Sequence, residues 1–327
     1  MIEIKISKEN SEQRIDKYIR KYLNDAPLSF IYKLFRKKDV KINGHWVKEN
    51  YILKEDDVLK IFVTDEQIKD FNKPKKIEEY KSNISIIFED ANLIVINKPK
   101  GLLVHGDESE KRITLSNMVL SYLYNKGEYK NDGQSFVPSP VHRLDRNTSG
   151  VVVFAKNLHT SQTLMDVFKV HENVTKKYLL LACGKVDDNG EINAPLLKDE
   201  KEGFVKVSSV ASGAKKAITR FKRLDYSSDL SLVEAELITG RTHQLRVHFS
   251  YINHPIIGDQ KYGDFKMNKR FDEKFNYHYQ FLHAYKICFY KLEGELEYLN
   301  GKEFVANISK REIEILDDLN IKKPSNL

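Results

Sequence analysis

The amino-acid sequence predicts an α+β protein of two domains, a small first domain and a larger second one with a mixed, largely antiparallel sheet. The chain has 327 residues, which is enough for two domains of ordinary size. Many short apolar runs separated by turns follow residue 84, a pattern that favours an antiparallel sheet. We expect the first domain at 1–70, a polar linker at 71–83, the second domain at 84–310 and a tail at 311–327.

Two helices and a hairpin are predicted in the first domain. Apolar and aromatic residues recur at helical spacing within residues 14–23, and a second helical pattern begins after Pro27. Alternating residues then end in Asn43-Gly44, the strongest short hairpin signal, and residues 56–63 predict a further strand. The basic residues at the end of the second helix are Arg36, Lys37 and Lys38. They form either a phosphate-binding surface or an ordinary solvated lysine face.

The second domain contains both strand and helix patterns. The apolar runs that predict strands are residues 84–88, 93–97, 151–155, 178–182, 217–221 and 232–238. Helical spacing occurs at residues 115–124 and 160–170. This mixture predicts a sheet with helices packed against it.

Composition narrows the class of protein without identifying it. The net charge of +7 favours a polyanionic partner, although many proteins are equally basic. Cys183 and Cys288 lie in apolar surroundings, so we expect buried thiols and neither a disulfide framework nor a zinc site. The chain holds no apolar run long enough to span a membrane, and its first residues lack the apolar centre of a signal peptide. We therefore expect a cytoplasmic protein with no membrane partner.

The most informative segment is residues 142–150, HRLDRNTSG. It places Asp145 between Arg143 and Arg146, directly before an apolar run that predicts a buried strand. A carboxylate at a strand edge with guanidinium groups beside it stays ionised and is held in place. Asp145 is therefore a candidate nucleophile or base. The alternative is a structural turn in which Asp145 caps backbone groups.

Three further segments contain side chains suited to chemistry. Residues 97–106 end a strand in a Pro-Gly turn and present Lys98 and His105 near one loop. Tyr178 begins an apolar run, where it either fills the core or offers an aromatic face and a hydroxyl to a pocket. Residues 239–248 are dense in hydrogen-bond donors, which are Arg241, His243, Gln244, Arg246 and His248. These side chains cannot all be buried without partners.

A metal site is a weaker interpretation of the histidines near residues 239–248. His243, His248 and His254 match no recognised zinc-site spacing, and the nearby carboxylate of Asp259 lies in a separate Gly-Asp loop. Charge pairing with Asp145 and contact with phosphates account better for the basic side chains. We therefore expect no metal.

The four segments, in this order, resemble the motifs of the RluA-type pseudouridine synthases, which isomerise uridine in RNA. The resemblance runs from about residue 84 to about residue 290 and implies the fold of that catalytic domain. It implies that Asp145 is the essential carboxylate, that Arg246 pairs with it, and that Tyr178 packs against the uracil ring and is a candidate for proton removal. It also implies that Arg143 fills the space left by the flipped-out base. The neighbours implied to shape the pocket or touch RNA are His142, Arg241, His243 and Gln244.

The reaction implied by this resemblance involves no redox change and needs no cofactor. The bond from C1′ to N1 breaks, the uracil turns, and C1′ joins C5. Asp145 either attacks C1′ or removes a sugar proton, and the sequence leaves both pathways open. Two other classes of protein compete with this interpretation. One is a non-catalytic RNA-binding protein, and the other is a glycosidic-bond hydrolase, which needs a second carboxylate that the four motifs do not supply.

The first domain resembles the S4 RNA-binding domain. The matching positions are residues 14–17 and 40–44, within two helices followed by a small hairpin sheet. The resemblance implies that the first domain binds RNA. We expect Arg36, Lys37 and Lys38 to contribute phosphate contacts.

Shorter segments indicate a branch of the family. Residues 29–33, 194–198 and 262–264 are most similar to the RluC branch, which acts on large-subunit ribosomal RNA. We therefore expect that RNA as the partner and a monomeric protein. One departure is Asn253, which precedes a His-Pro pair where the family usually has glycine. Because asparagine tolerates the left-handed conformation, we expect the turn to persist.

Overall fold

The structure, a computed structural model, falls into two units. It describes residues 1–71, 84–107, 109–130, 136–199 and 202–324. The first unit comprises Met1–Asn83, Ser116–Ser139 and Ala155–Gln162, and the second comprises Ile84–Leu115, Pro140–Phe154 and Thr163–Leu327. The first unit thus includes two segments beyond residue 84. The linker expected at 71–83 lies outside the described residues, apart from residue 71.

The helices and strands are numbered in chain order. The helices are α1 (Ile15–Tyr22), α2 (Leu28–Arg36), α3 (Asp65–Phe71), α4 (Leu115–Asn125), α5 (Leu158–Val167), α6 (Gln244–Tyr251), α7 (Phe265–Phe275) and α8 (Lys310–Asp318). The strands are β1 (Ile2–Lys5), β2 (Val40–Ile42), β3 (His45–Trp46), β4 (Val58–Ile61), β5 (Ile86–Glu89), β6 (Leu93–Lys98), β7 (Ser139–Pro140), β8 (Ser149–Ala155), β9 (Val174–Cys183), β10 (Asn189–Asn193), β11 (Leu196–Lys198), β12 (Val205–Val207), β13 (Ile218–Ser227), β14 (Leu230–Leu237), β15 (Leu282–Phe289) and β16 (Glu303–Val305).

The first unit contains a four-stranded antiparallel sheet in the order β1-β4-β2-β3. The apolar sides of α1 and α2 share one core with the inner face of this sheet, and Ile15, Tyr18 and Ile31 are each at most 1% exposed. The hairpin between β2 and β3 turns at Asn43 and Gly44, whose φ angles of +50° and +86° suit a tight hairpin turn. The two helices and the hairpin predicted here are confirmed.

The second unit is built on a mixed sheet. Its main strand order is β10-β13-β14-β9-β15-β8-β6-β5, and β16 pairs with β15. Strand β8 runs parallel to β15, whereas β9, β13 and β14 form antiparallel neighbours. The expected mixed, largely antiparallel α+β architecture is confirmed.

Strand β8 is the apolar run that follows Asp145. All seven of its residues are buried, and neighbouring strands pair with it at both edges. A strand buried on both faces has a continuous apolar sequence rather than an alternating one. The strand predicted after Asp145 is therefore confirmed, and it fixes the loop before it to the middle of the sheet.

The segment expected as a tail begins with a helix, α8. Ser309 caps this helix by accepting from the backbone N–H of Glu312, and the Glu312 carboxylate accepts in return from the Ser309 backbone. This capping box is visible in the sequence as Ser-Lys-Arg-Glu. Ile315 and Leu316 are buried against the second unit, so the apolar side of α8 belongs to its core.

A buried ion pair anchors α8 to the turn after β6. Lys100 Nζ lies 2.6 Å from Glu312 Oε1, whose side chain is 2% exposed. Burial alone would raise the pKa of Glu312, but the Lys100 ammonium lowers it to about 2. Tyr277 also donates its hydroxyl to Glu312, at 2.9 Å.

No helix in the described part of the chain is long and apolar enough to cross a membrane.

Gly150 allows β8 and β15 to approach each other. Its φ is +116°, and a Cβ at this position would lie 2.1 Å from the carbonyl oxygen of Ala284, its partner residue on β15. Any larger residue therefore meets both an unfavourable backbone conformation and a backbone clash. This close approach helps to fix the end of the Asp145 loop.

We predict that Gly150→Ala lowers the free energy of unfolding by about 3 kcal/mol, because strain and overpacking act together. The matched control is Gly213→Ala, since Gly213 has φ +85° but open space around the added Cβ. The control should lose only about 1 kcal/mol. Urea denaturation of both variants measures the difference, and equal losses would show that the contact with Ala284 is unimportant.

Candidate active site

A series of charged side chains links Arg246 to two carboxylates. Arg246 lies on α6, and its Nη1 donates to Asp145 Oδ2 at 3.0 Å. Its Nε and Nη2 donate to the two oxygens of Asp259 at 2.7 and 2.9 Å, the two-pronged geometry that a guanidinium and a carboxylate favour. The side chains of Arg246, Asp259 and Asp145 are 10%, 1% and 29% exposed, respectively. Asp145 is therefore the member of the series that a ligand can reach.

Asp259 is fixed by the backbone as well as by Arg246. Its Oδ1 accepts from the backbone N–H groups of Lys261 and Tyr262 at 2.8 and 3.1 Å. Burial opposes ionisation, but the Arg246 guanidinium and these N–H groups hold the pKa of Asp259 below its usual value. Burial also disfavours the charge of Arg246, yet Asp259 and Asp145 raise its pKa. The buried pair is therefore ionised and rigidly placed.

The loop that carries Asp145 is held on both sides. The backbone N–H of Thr148 donates to the Asp145 carbonyl at 3.1 Å and closes a turn. Lys98, which is fully buried at the end of β6, donates to the Arg146 carbonyl at 2.9 Å and to two carbonyls of its own turn at 2.9 and 2.8 Å. Burial lowers the pKa of Lys98 to about 7, while the Asp145 charge opposes this shift. Three acceptors match the three donors of the ammonium form.

Tyr178 lies on β9 and is 8% exposed. Burial and the negative charge of Asp145 both raise the pKa of Tyr178. Its hydroxyl forms no hydrogen bond with the described residues. A phenol with a raised pKa remains protonated at neutral pH, so this hydroxyl is a donor in the resting site.

His243 completes the surroundings of Asp145. It precedes α6 in the left-handed conformation, with φ +54°, and its Nε2 lies 3.9 Å from Asp145 Oδ2. Its Nδ1 is 2.9 Å from the hydroxyl of Tyr262, which itself accepts from the Val205 backbone N–H at 2.9 Å. The Tyr262 hydroxyl can therefore donate to Nδ1, which leaves the ring proton on Nε2, facing Asp145. Burial lowers the pKa of His243, so the ring is neutral at neutral pH.

Gln244 lies in the interior, where the protein occupies both ends of its amide. Its Nε2 donates to Ile218 O at 2.9 Å and to Thr219 Oγ1 at 3.1 Å. Its Oε1 accepts from Thr239 Oγ1 at 2.8 Å and from the Arg241 backbone N–H at 3.0 Å. With 2% exposure, Gln244 shapes the start of α6 and is not presented to a ligand.

His142 also has an internal role. Its Nε2 accepts from the Val153 backbone N–H at 3.2 Å, and its ring stacks on Phe168 with centroids 4.6 Å apart. Burial lowers the pKa of His142 to about 3, in agreement with a neutral ring that accepts a hydrogen bond. His142 therefore positions the Asp145 loop against β8.

The remaining predicted site residues lie at the surface. Arg143 is exposed, and its charge contributes, after burial, to the lowered pKa of His105. Arg241 is exposed and its Nε donates to the Lys216 carbonyl at 3.0 Å. The basic residues that are exposed at the end of α2, in the first unit, are Arg36, Lys37 and Lys38.

Two predictions, on the turn at Asn253 and on the two cysteines, are confirmed. Asn253 adopts φ +62°, so the turn before the His-Pro pair persists without glycine. Cys183 and Cys288 are free and buried. Among the residues that the structure describes, no group of three or more histidine, cysteine, aspartate or glutamate side chains is placed to hold a metal ion.

Sequence reasoning missed the roles of Asp259 and Lys98. The signal for Asp259 was a carboxylate two residues after the apolar Ile256-Ile257 pair, because a buried charge needs a partner. The signal for Lys98 was a lysine that ends an apolar strand before proline. Asp259 pairs with a side chain 13 residues earlier, and Lys98 reaches the Arg146 carbonyl 48 residues later, and neither partner follows from a local pattern.

Comparison with known proteins shows which family this chain resembles. Residues 92–251 match the family described as RNA pseudouridylate synthase. An uncharacterized RNA pseudouridine synthase of Mycoplasma capricolum is 36% identical over 321 residues, which cover 94% of this chain and 98% of the relative. The ribosomal large subunit pseudouridine synthase C of Vibrio cholerae is 34% identical over 295 residues, 88% of each chain. The structure of human RNA pseudouridylate synthase domain containing 4 matches with a TM-score of 0.59 and 25% identity, over 74% of this chain and 95% of that one.

Fold, site and relatives together define an RNA-modifying isomerase. The chain belongs to the RNA pseudouridylate synthase family. It is therefore an enzyme that converts uridine in RNA to pseudouridine.

We predict that Asp259→Asn lowers kcat about 100-fold with little change in KM, because Arg246 loses the partner that aims it at Asp145. An asparagine amide would place N–H donors against the guanidinium. Tritium release from RNA labelled at C5 of uridine measures both constants.

The matched control is Asp264→Asn. Asp264 lies in the same loop region, and its side chain accepts from the backbone N–H groups of Lys266 and Met267 at the start of α7. Its loss should cost about 1 kcal/mol of stability and leave kcat unchanged. A similar fall in kcat for both variants would mean that Asp259 acts only through stability.

Proposed function

We propose that this protein isomerises specific uridines of large-subunit ribosomal RNA to pseudouridine, with Asp145 as the catalytic nucleophile or base. The observation that carries the proposal is the state of the Asp145 carboxylate. Its Oδ2 accepts from Arg246, whereas its Oδ1 accepts no hydrogen bond from the described residues. An oriented carboxylate oxygen with open access suits both attack on C1′ and removal of a sugar proton.

The other side chains receive roles from their positions. Arg246 orients the Asp145 carboxylate, since the guanidinium is fixed at its other edge by Asp259. Tyr178 packs against the uracil ring and holds it beside Asp145. Arg143, which is exposed next to this site, fills the gap that the flipped base leaves, and so offsets part of a cost of a few kcal/mol.

A glycosidic-bond hydrolase would need a carboxylic acid close to Asp145. Asp259 shares Arg246 with Asp145, but its side chain is 1% exposed, it accepts from Arg246 at both oxygens, and its pKa is lowered. Asp259 therefore cannot supply a proton to a leaving group. This favours isomerisation over hydrolysis.

The choice of large-subunit ribosomal RNA is supported by relatives from several bacteria. The Vibrio cholerae and Haemophilus influenzae relatives, 34% and 35% identical, are both named ribosomal large subunit pseudouridine synthase C. We assign the chain to this RluC branch, with residues 1–70 as an S4-like RNA-binding domain, 71–83 as a linker, and a catalytic domain that begins at residue 84 and includes α8. With this substrate the protein acts in the cytoplasm, as a monomer without a cofactor.

We predict that Asp145→Asn abolishes pseudouridine formation, by at least about 1,000-fold, while the affinity for RNA changes less than about threefold. Asparagine keeps the shape of the side chain but is neither a nucleophile nor a base. Carbodiimide treatment followed by primer extension on large-subunit ribosomal RNA gives a stop at each pseudouridine. These stops are compared between cells that carry the wild-type protein and cells that carry the variant.

Stops that vanish only in the variant would establish both the substrate and the modified positions. Stops that persist would reject large-subunit ribosomal RNA as the substrate, and tritium release from uridine-labelled total RNA would then find the RNA that is modified. Normal rates with Asp145→Asn would remove this residue from the mechanism.

We predict that replacing Arg36, Lys37 and Lys38 together by glutamine weakens RNA binding and reduces the slope of log affinity against log salt by about 2. The reason is that each lysine or arginine at a phosphate releases a counterion on binding. A matched control replaces three exposed basic residues of α7, which are Lys266, Lys269 and Arg270. Equal slopes for the two triple variants would show that the end of α2 makes no special contribution.

A further inference from the structure

Two exposed aromatic rings lie beside lysines on the first unit. Trp46 on β3 is 51% exposed, and Lys38 Nζ lies 5.0 Å from its ring centroid. Phe62, directly after β4, is 41% exposed, and Lys41 Nζ lies 5.2 Å from its ring centroid. Single exposed rings are ordinary on a protein surface, but here two rings lie close in the fold and each carries its own cation.

Strand register places these side chains on one face of the sheet. Lys41 pairs directly with Trp46 across β2 and β3, and with Lys60 across β2 and β4. Directly paired residues point to the same side, and Phe62 follows Lys60 by two residues, so it shares that side. The opposite side of the sheet is the core formed with α1 and α2. We call the solvent side, with Lys38, Lys41, Trp46 and Phe62, the Trp46 face.

The lysines of the Trp46 face differ in whether a carboxylate compensates their charge. At the β1 edge Lys60 is neutralised by Glu3, at 3.0 Å. Within the described chain, Lys38 and Lys41 have no carboxylate at ion-pair distance. The part of the face that holds the two aromatic rings is therefore also the part with uncompensated positive charge.

From this geometry we propose that the Trp46 face binds unpaired nucleotides of the RNA substrate. Bases stack on Trp46 and Phe62, and the ammonium groups of Lys38 and Lys41 contact the flanking phosphates. A duplex hides its bases, whereas an unpaired segment offers both a π face and a phosphate at each step. The inference extends the RNA-binding role proposed for the first unit and rests on that role. It adds the face of the sheet to the end of α2, and Lys38 belongs to both surfaces.

The chain contains one tryptophan, so its fluorescence reports this face alone. We expect a 12-nucleotide oligouridylate to quench Trp46 emission saturably in the full-length protein, because a stacked base quenches the indole. A 12-base-pair RNA duplex should quench far less, although it carries more charge. No quenching by the single strand, or equal quenching by the duplex, would overturn the proposal and leave the face to a protein partner.

Single substitutions distinguish the contribution of base stacking to RNA binding from the contribution of charge. Trp46→Ala and Phe62→Ala should each weaken binding of the oligouridylate about tenfold without changing the salt slope. Lys41→Met should reduce the slope by about 0.7, the value for one phosphate contact on a single strand. The matched control is Phe265→Ala, which removes a phenylalanine that is 66% exposed at the start of α7, and it should bind as the wild-type does.

The outcomes also distinguish this inference from the proposed function. If labelled oligouridylate binds but Trp46→Ala binds it equally well, the Trp46 face is not used, and the reaction at Asp145 is unaffected. If uridines are isomerised in cells while the first unit binds no RNA, both this inference and the RNA-binding role of the first unit fail. Circular dichroism of each variant confirms that the first unit is folded.

Discussion

The site depends on one buried ion pair, in which Asp259 clamps Arg246. Removing two charges from water is costly, and the cost is offset only when the geometry is good and the remaining donors and acceptors are satisfied. Here two parallel hydrogen bonds and two backbone N–H groups meet that condition. The clamp leaves one edge of the guanidinium to hold Asp145. Lys98 adds a buried amine whose pKa burial lowers to about 7, and this amine holds the Asp145 loop through the Arg146 carbonyl.

The parts of the fold that could be predicted are those whose sequence signal is local. Strand β8 is apolar throughout because it is buried on both faces, and the β2–β3 turn needs the positive φ that Asn43 and Gly44 adopt. Helix α6 gave no such signal. Its buried positions include Gln244, Arg246 and His248, so hydrophobic periodicity is absent where polar side chains form the interior contacts.

Only those residues of the candidate site that belong to a recognisable motif could be predicted from the sequence. Asp145 and Arg246 are 101 residues apart, and no spacing rule pairs them; the resemblance to a family did so. The sequence offers no comparable signal for Asp259, because the role of this residue depends on a loop that brings it to Arg246 on α6. Gln244 illustrates the opposite case. Its place in a donor-rich segment suggested contact with RNA, whereas four hydrogen bonds within the protein account for its amide.

The environment of Tyr178 bears on the last step of the reaction, in which C5 of the rotated uracil loses its proton. A phenolate would be needed for Tyr178 to accept that proton. Burial and the charge of Asp145 both raise the pKa of Tyr178, so the phenolate is disfavoured as long as Asp145 is ionised. A protonated phenol next to the carboxylate is suited to packing and donating. We therefore expect Tyr178 to hold the uracil ring rather than to accept the proton from C5.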